Sequence, residues 1–446
     1  MPIAAVGPVT RPWVQTGLDP WFNPHLSPAG SARAHEVVGP VLLAMEQYKR
    51  KRALRPQDRH THYRVLIPLT ANLIQHYLNG SPGDGIPVPR SKRDNALGGK
   101  TNRYEPFSFP RSFPKMLDAL CALGFVEQTI GGQFRRTTVR AGAKLIELIQ
   151  EHKVNLEDLS EGDGGEIIIL KRPKRGYWDD GKRIDYRETD TTRRFREELR
   201  SINRWLKKAD IHFDATTFEE PVNAQVRQLR RHFTLGRFDC GGRLFGGFWE
   251  NLTKGERSRG IRIEGAPVVG LDYSQLNPLL AYHVANANPP PGDAYTLPGL
   301  EKYRDGVKKI FNAMLFNHPL EKFPKGAKVM FPRRIKCHDV TEAILRLHPK
   351  LKGVLSSYEI GHRLQFLESK IMMGVLGKCQ RRNIVALPVF DCVVVKASAE
   401  SAVREIMRRE FKATTGLEVT VKRELPVQGS VQVEAAGEID PGSGLL

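Results

Sequence analysis

Cysteine is scarce and badly spaced for chemistry. The five present, Cys121, Cys240, Cys337, Cys379 and Cys392, are odd in number and never fall in a CxxC pair, so neither a disulfide framework nor a zinc site is indicated and reduced thiols are expected. Long apolar runs are missing too. None approaches the ~20 residues of a membrane span, and the opening MPIAAVGPVTRPW lacks the apolar core of a secretory signal, which predicts a cytosolic, cytoplasmic protein with no membrane partner. Acidic residues are in deficit, 49 against 69 Lys plus Arg, and the formal net charge over 446 residues is +20. The excess runs along most of the chain rather than sitting in one tail. Such a field points to polyanions, nucleic acid ahead of an anionic membrane surface. Core-forming residues are not lacking: 40% of the chain is hydrophobic, enough for two to four domains.

The chain divides into five segments. Residues 1–60 hold a Pro/Gly-rich opening and the helical SARAHEVVGPVLLAMEQYKRKRAL, whose basic end suggests an arm or linker. Residues 61–150 are better defined. HYRVLIPLTANLIQHYL has helical periodicity, and SFPKMLDALCALG puts Phe113, Met116, Leu117 and Leu120 on one helical face before Gly124. FVEQTIGGQFRRTTV then reads as a hairpin around Gly131-Gly132 with Arg135 and Arg136 near its tip. Helix, helix, basic hairpin is the order of a winged helix, in which the two arginines would meet phosphates and set position rather than read sequence. The alternative is a small α+β domain that only packs on the rest of the chain. Residues 151–235 begin with the acidic NLEDLSEGDGGE, a boundary signal, and continue into a basic helix with Phe195, Leu199, Ile202 and Leu206 on its apolar face. Residues 428–446 form an acidic, Gly-rich tail, expected to be flexible.

Residues 236–427 hold the chemistry. PVVGLD reads as a buried strand ending at Asp272, and IVALPVFDCVVVKAS as a hairpin with Asp391 in its turn. If the two strands are neighbours, the carboxylates meet. That pair suits two Mg²⁺ ions, with Mn²⁺ able to substitute, because Mg²⁺ keeps several waters and takes one or two protein carboxylates plus substrate phosphates. Two such ions ~4 Å apart stabilise both oxygens of an in-line phosphoryl transfer. Backbone carbonyls near Tyr273 or Cys392 would complete the shell. The competing reading makes each aspartate a turn or cap residue. Between the strands, EKYRDGVKKIFNAMLFNH sets Arg304, Lys308, Asn312 or Ala313, and Phe316 at four-residue intervals, one helical face. Two cations and an aromatic match a nucleoside triphosphate: charge for its phosphates, a flat surface for its base. CHDVTEAILRLHP, by contrast, reads as a helix N-cap region rather than a metal site. GHRLQFLESKIMMGVLGKCQRR reads as a helix packed on the sheet, with Gln365 and Glu368 as lesser candidates for contact with template or metal.

LDYSQLNPLLAY resembles motif A of the family A DNA polymerases, with Asp272, Tyr273, Ser274 and Gln275 identical to the opening of DYSQIELR. RDGVKKIFNAMLF is similar to motif B through Arg304, Lys308 and Phe316, and VFDCVVV to motif C, with Phe390-Asp391 where HD is usual. FDCGGRLFG resembles the DWRGRVY element of the phage-type single-subunit RNA polymerases through Asp239, Gly242, Arg243 and Phe245; GDAY, with Asp293 and Tyr295, is similar to their DxY. Together these elements span about residues 236 to 400 in the expected order.

The resemblance implies an α+β right-hand palm, an antiparallel sheet with helices, and reduced fingers. Asp272 and Asp391 would hold the metals, Arg304, Lys308 and Tyr273 the nucleotide, Phe316 would stack near the templating pair, and Arg243, Asp239, Phe245 and Tyr295 would support template or primer. Asn277 replaces the glutamate that excludes a 2'-hydroxyl in the DNA enzymes, which tilts the reading toward ribonucleotides. Phe316 in place of tyrosine loosens the discrimination. The expected activity is a template-directed nucleotidyltransferase, DNA-dependent RNA polymerase ahead of a small DNA polymerase or primase-polymerase, with DNA template, RNA or DNA product and nucleoside triphosphates as partners. A third reading is a winged-helix replication or transcription regulator whose polymerase-like half is inactive.

Overall fold

The computed structural model describes residues 22–28, 31–48, 55–79, 85–90, 97, 102–104, 107, 109–131, 137–161, 165–174, 179, 181–214, 222–317 and 319–424. The protein is mixed α+β and falls into two units, residues 1–165 and 166–446, each with a hydrophobic core of its own.

In the first unit the elements run β1 (Leu26–Ser27), α1 (Ala32–Gln47), α2 (Pro56–Leu78), β2 (Ile86–Val88), α3 (Phe113–Ala122), β3 (Val126–Thr129), β4 (Thr137–Ala141), α4 (Ala143–Glu151) and β5 (Ser160–Glu161). Ser31 starts α1, its hydroxyl accepting the Ala34 amide. Ala34, Val37, Val41 and Met45 then recur at helical spacing and are buried, so α1 is part of this core rather than an arm. α3 buries Phe113, Met116, Leu117 and Leu120 as one stripe. The sheet order is β2-β4-β3, with β3 and β4 an antiparallel hairpin. Arg135 and Arg136, expected at its tip, lie outside the described residues.

The second unit contains β6 (Ile168–Leu170), α5 (Asp190–Lys208), β7 (Ile211–Phe213), β8 (Arg230–Phe233), β9 (Gly241–Phe245), α6 (Lys254–Gly260), β10 (Ile261–Ile263), β11 (Ala266–Tyr273) and α7 (Leu276–Val284). It continues through α8 (Arg304–Met314), α9 (Cys337–Leu347), α10 (Lys352–Leu355), α11 (Ile360–Arg381), β12 (Ala386–Val389), β13 (Cys392–Lys396), α12 (Glu400–Thr415) and β14 (Val421–Arg423). Its main sheet has the order β12-β13-β11-β10-β7, with β14 also paired to β11, and every ladder in it is antiparallel. A smaller sheet, β6-β8-β9, mixes a parallel and an antiparallel ladder. α5 buries Phe195, Leu199, Ile202 and Leu206 in the same core as the main sheet. From residue 166 the segment 151–235 belongs to the second unit. No helix among the described residues is long and apolar enough to cross a membrane.

Candidate active site

Successive side chains on a strand point to opposite faces. On β11, Tyr273 points to the helical layer, where its hydroxyl donates to the Met407 carbonyl of α12 at 2.9 Å and its ring meets Phe411. Gly270 and Asp272 therefore face the other way. Across the β11–β13 ladder Asp272 is directly opposite Cys392. Asp391 precedes Cys392 in the two-residue turn that joins Val389 to it. The two acids, 119 positions apart in sequence, thus occupy adjacent strand ends, and neighbouring strands lie about 4.8 Å apart.

The turn that presents Asp391 is strained. Phe390 has φ +55°, a left-handed conformation that costs a residue with a Cβ about 1–2 kcal/mol. Packing holds it there: the Phe390 ring meets Phe245 edge-on at 5.6 Å and lies 5.1 Å beneath the Arg243 guanidinium. Arg243 is itself fixed by a fork of two hydrogen bonds to buried Glu368, at 2.8 and 2.6 Å.

The electrostatics of the pair follow from this placement. Burial, joined by the Asp391 and Glu424 carboxylates, pushes Asp272 up to about 8, against the pull of Lys254 and Lys308. Burial also raises Asp391, although Arg243, its own amide and Lys308 pull it down. One oxygen of Asp272, Oδ1, is buried and accepts no hydrogen bond. Two partly desolvated carboxylates with an unpartnered oxygen fit a hard divalent cation, which would relieve both the repulsion and the missing hydrogen bond. Among the described residues no group of three or more His, Cys, Asp or Glu is gathered to hold a metal. The donor set is two carboxylates, the number Mg²⁺ takes when waters and phosphates fill the rest of its shell.

Cations flank the acids on two sides. Lys308 of α8 is exposed and its charge reaches both aspartates. Arg304, the first residue of α8, donates from Nε and Nη2 to Asp293 Oδ2 at 3.1 and 2.7 Å, with the Tyr295 ring 5.4 Å from its guanidinium carbon. On the other side, Lys254 of α6 pairs with Glu424 at 3.4 Å, in a cleft also lined by Arg257, Gly270, Val394 and Arg423. The Glu424 carboxylate packs over Gly270, where an added Cβ would meet it at 2.4 Å and displace it. Asn277, near the start of α7, donates from Nδ2 to Asn312 Oδ1 of α8 at 3.0 Å.

Several residues expected at the site are engaged elsewhere. The Tyr273 side chain is buried on the helical face, one residue out of phase with Asp272, so it does not face the cleft. Phe316 does not continue the row of Arg304 and Lys308, because α8 ends at Met314. Its ring is buried against His362, 5.2 Å away, and so close to Gly361 that a Cβ there would approach it to 2.5 Å. Tyr295 is also buried, under Arg304 and against Phe311. The Arg243 fork is occupied by Glu368 rather than open to a strand. Asp239 pairs with Arg237 at 2.6 Å, and Phe245 packs on Phe390 and His232. His338 is a surface residue 3.4 Å from Glu342, while Asp339 caps α9 by accepting the Lys336 amide. Glu424, Lys254 and Asn312 complete the site without a motif of their own; only Asn312 was legible, from the helical spacing of α8.

The sequence matches no protein-family model and no curated protein. Among solved structures it is similar to the POL domain of Pol1 from M. smegmatis in complex with DNA primer-template and dNTP, at 12% identity and a TM-score of 0.30, over 89% of this chain and 69% of that one. A superposition that loose assigns neither fold nor activity.

Proposed function

We propose that the protein is a template-directed nucleotidyltransferase, and specifically a DNA-dependent RNA polymerase of the single-subunit type. The observation that carries this reading is the convergence of Asp272 and Asp391 on adjacent strand ends, with the Asp272 Oδ1 oxygen buried and unpartnered beside the Lys308 cation. Asp272 and Asp391 would hold two Mg²⁺ ions, which when bound supply electrostatic stabilisation to the attacking and leaving oxygens of phosphoryl transfer. Lys308 and Arg304, one turn apart on α8, bind the triphosphate, Lys308 as a point charge and Arg304 through the guanidinium N–H groups that its Nε and Nη2 bonds to Asp293 leave over. Asn277, held by Asn312, lines the sugar side with a short amide that leaves room for a 2'-hydroxyl and can bond it. Phe390 and Arg243 keep the Asp391 turn in register with Asp272.

The test is incorporation of labelled NTP and dNTP on primed and unprimed DNA templates with Mg²⁺ or Mn²⁺, by the wild type and by Asp391→Asn. The wild type extends with NTP in preference to dNTP, and the variant loses at least about 100-fold in rate while binding DNA as before. Preference for dNTP would leave the class standing and make the protein a DNA polymerase or primase-polymerase. Equal extension by the variant, or none by the wild type with any substrate, would sink the reading and leave a nucleic-acid-binding regulator.

A further inference from the structure

Between α7 and α8 the segment Asp293–Ala294–Tyr295 has no regular structure, yet it is tied down on all sides. The Ala294 amide donates to Gln275 Oε1 at 2.5 Å, and Gln275 itself sits at φ +56° just after β11. The Ala294 carbonyl is 2.8 Å from Nε2 of His348. Asp293 Oδ1 accepts the Tyr295 amide at 2.8 Å, which leaves Oδ2 for Arg304. The Tyr295 ring forms the platform under that guanidinium and meets Phe311 of α8 edge-on at 5.7 Å.

His348 is the buried pivot of this arrangement. It is fully buried at the C-terminal end of α9. A carbonyl can only accept, so the hydrogen must be on Nε2; the neutral ring then has Nδ1 bare, and Tyr282 of α7 donates its hydroxyl to it at 2.9 Å. The imidazole also meets Phe311 at 6.0 Å. One side chain thus joins α7, which follows Asp272, to the segment that orients Arg304 and to the helix that carries Arg304. A purely space-filling residue at this position would need neither directed hydrogen bond.

We propose that His348 is a positioning residue for the triphosphate: through Ala294 it fixes the Asp293–Tyr295 segment, and through that segment it presets the Arg304 guanidinium. This rests on the reading that Arg304 meets a nucleoside triphosphate. His348→Phe keeps the aromatic volume but strips Ala294 O and Tyr282 Oη of their partner. His348→Gln keeps a donor within reach of Ala294. The experiment is a double-mutant cycle on binding of a fluorescently labelled ATP with Mg²⁺, using Arg304→Ala, His348→Phe and the double variant, with DNA binding as the control.

His348→Phe weakens ATP about tenfold, His348→Gln recovers most of that, and the double variant binds no more weakly than Arg304→Ala, because groups acting as one unit are not additive. DNA binding stays within about twofold of the wild type. If the two losses simply multiply, or if His348→Phe binds ATP like the wild type, the inference is overturned while the nucleotide site stands. If Arg304→Ala itself binds ATP normally, the nucleotide site falls instead and takes the inference with it. Should His348→Phe fail to fold, Tyr282→Phe, which removes only the bond orienting the ring, replaces it in the same cycle and must show the same non-additivity.

Discussion

Glu250 sits in a single 3₁₀ turn, Phe248–Asn251, where its carboxylate accepts the Gly247 amide at 3.2 Å. Burial pushes its pKa up to about 8, in spite of the amides of Gly247 and Gly246 and the Arg257 charge, which favour the ionised form. A carboxyl whose folded pKa lies above its unfolded value of about 4.5 makes the native state bind more protons than the unfolded chain. Stability therefore falls as pH rises from about 4.5 to about 8. Glu250→Gln keeps an oxygen acceptor for Gly247 and removes the titration. In urea unfolding, the variant and the wild type should match near pH 4.5, and the variant should be roughly 2 kcal/mol more stable at pH 8.5, a figure discounted for the partial exposure of the side chain. Parallel stability curves at the two pH values would mean that the Glu250 carboxylate is well solvated.

At the scale of elements, the proposed choice of sugar would fall to the segment where β11 turns into α7 and to its neighbour α8. Asn277 and Asn312 hold each other across the two helices. Replacing Asn277 by Glu adds a methylene and a negative charge where the proposed ribose would lie, so Asn277→Glu should shift the ratio of kcat/KM for NTP over dNTP toward dNTP by about tenfold or more. Asn312→Ala should have a smaller effect, by freeing the Asn277 amide from its partner. An unchanged ratio in Asn277→Glu would remove Asn277 from the sugar side. Elements are legible in the sequence where their signals are local: the apolar stripe of α3 and the β-branched run of β11. The pairing of β11 with β13 follows only from family likeness, since nothing local ties Asp272 to Asp391. A motif carried over as a block sets Tyr273 beside Asp272 in the site, whereas strand alternation turns adjacent residues to opposite faces. Four-residue spacing puts Phe316 in the row of Arg304 and Lys308 only while the helix lasts, and α8 ends two residues earlier. Arg243 with Glu368, 125 positions apart, and His348 with Ala294, 54 apart, leave no local trace at all.

At the scale of the whole molecule, the net charge of +20 and the division into two units bear on how the proposed nucleic-acid partner would be held. The two hydrophobic clusters share no residue, so residues 166–446 have what a domain needs to fold alone. All the residues proposed here for the metals and the triphosphate lie in that unit. The first unit carries the α3 and β3–β4 elements read from sequence as a winged helix, a form that would add phosphate contacts. Each phosphate neutralised by a protein cation releases a condensed counterion, and log K falls with log salt in proportion to their number. Residues 166–446 expressed alone should therefore bind ATP with Mg²⁺ within about threefold of the full chain, yet bind duplex DNA more weakly and with a shallower salt slope, by about one unit for each phosphate that the first unit would have neutralised. Fluorescence anisotropy over a salt series measures both the affinity and the slope. A slope identical to that of the full chain would assign every phosphate-binding cation to the second unit, and with it the first unit would lose its claim to DNA.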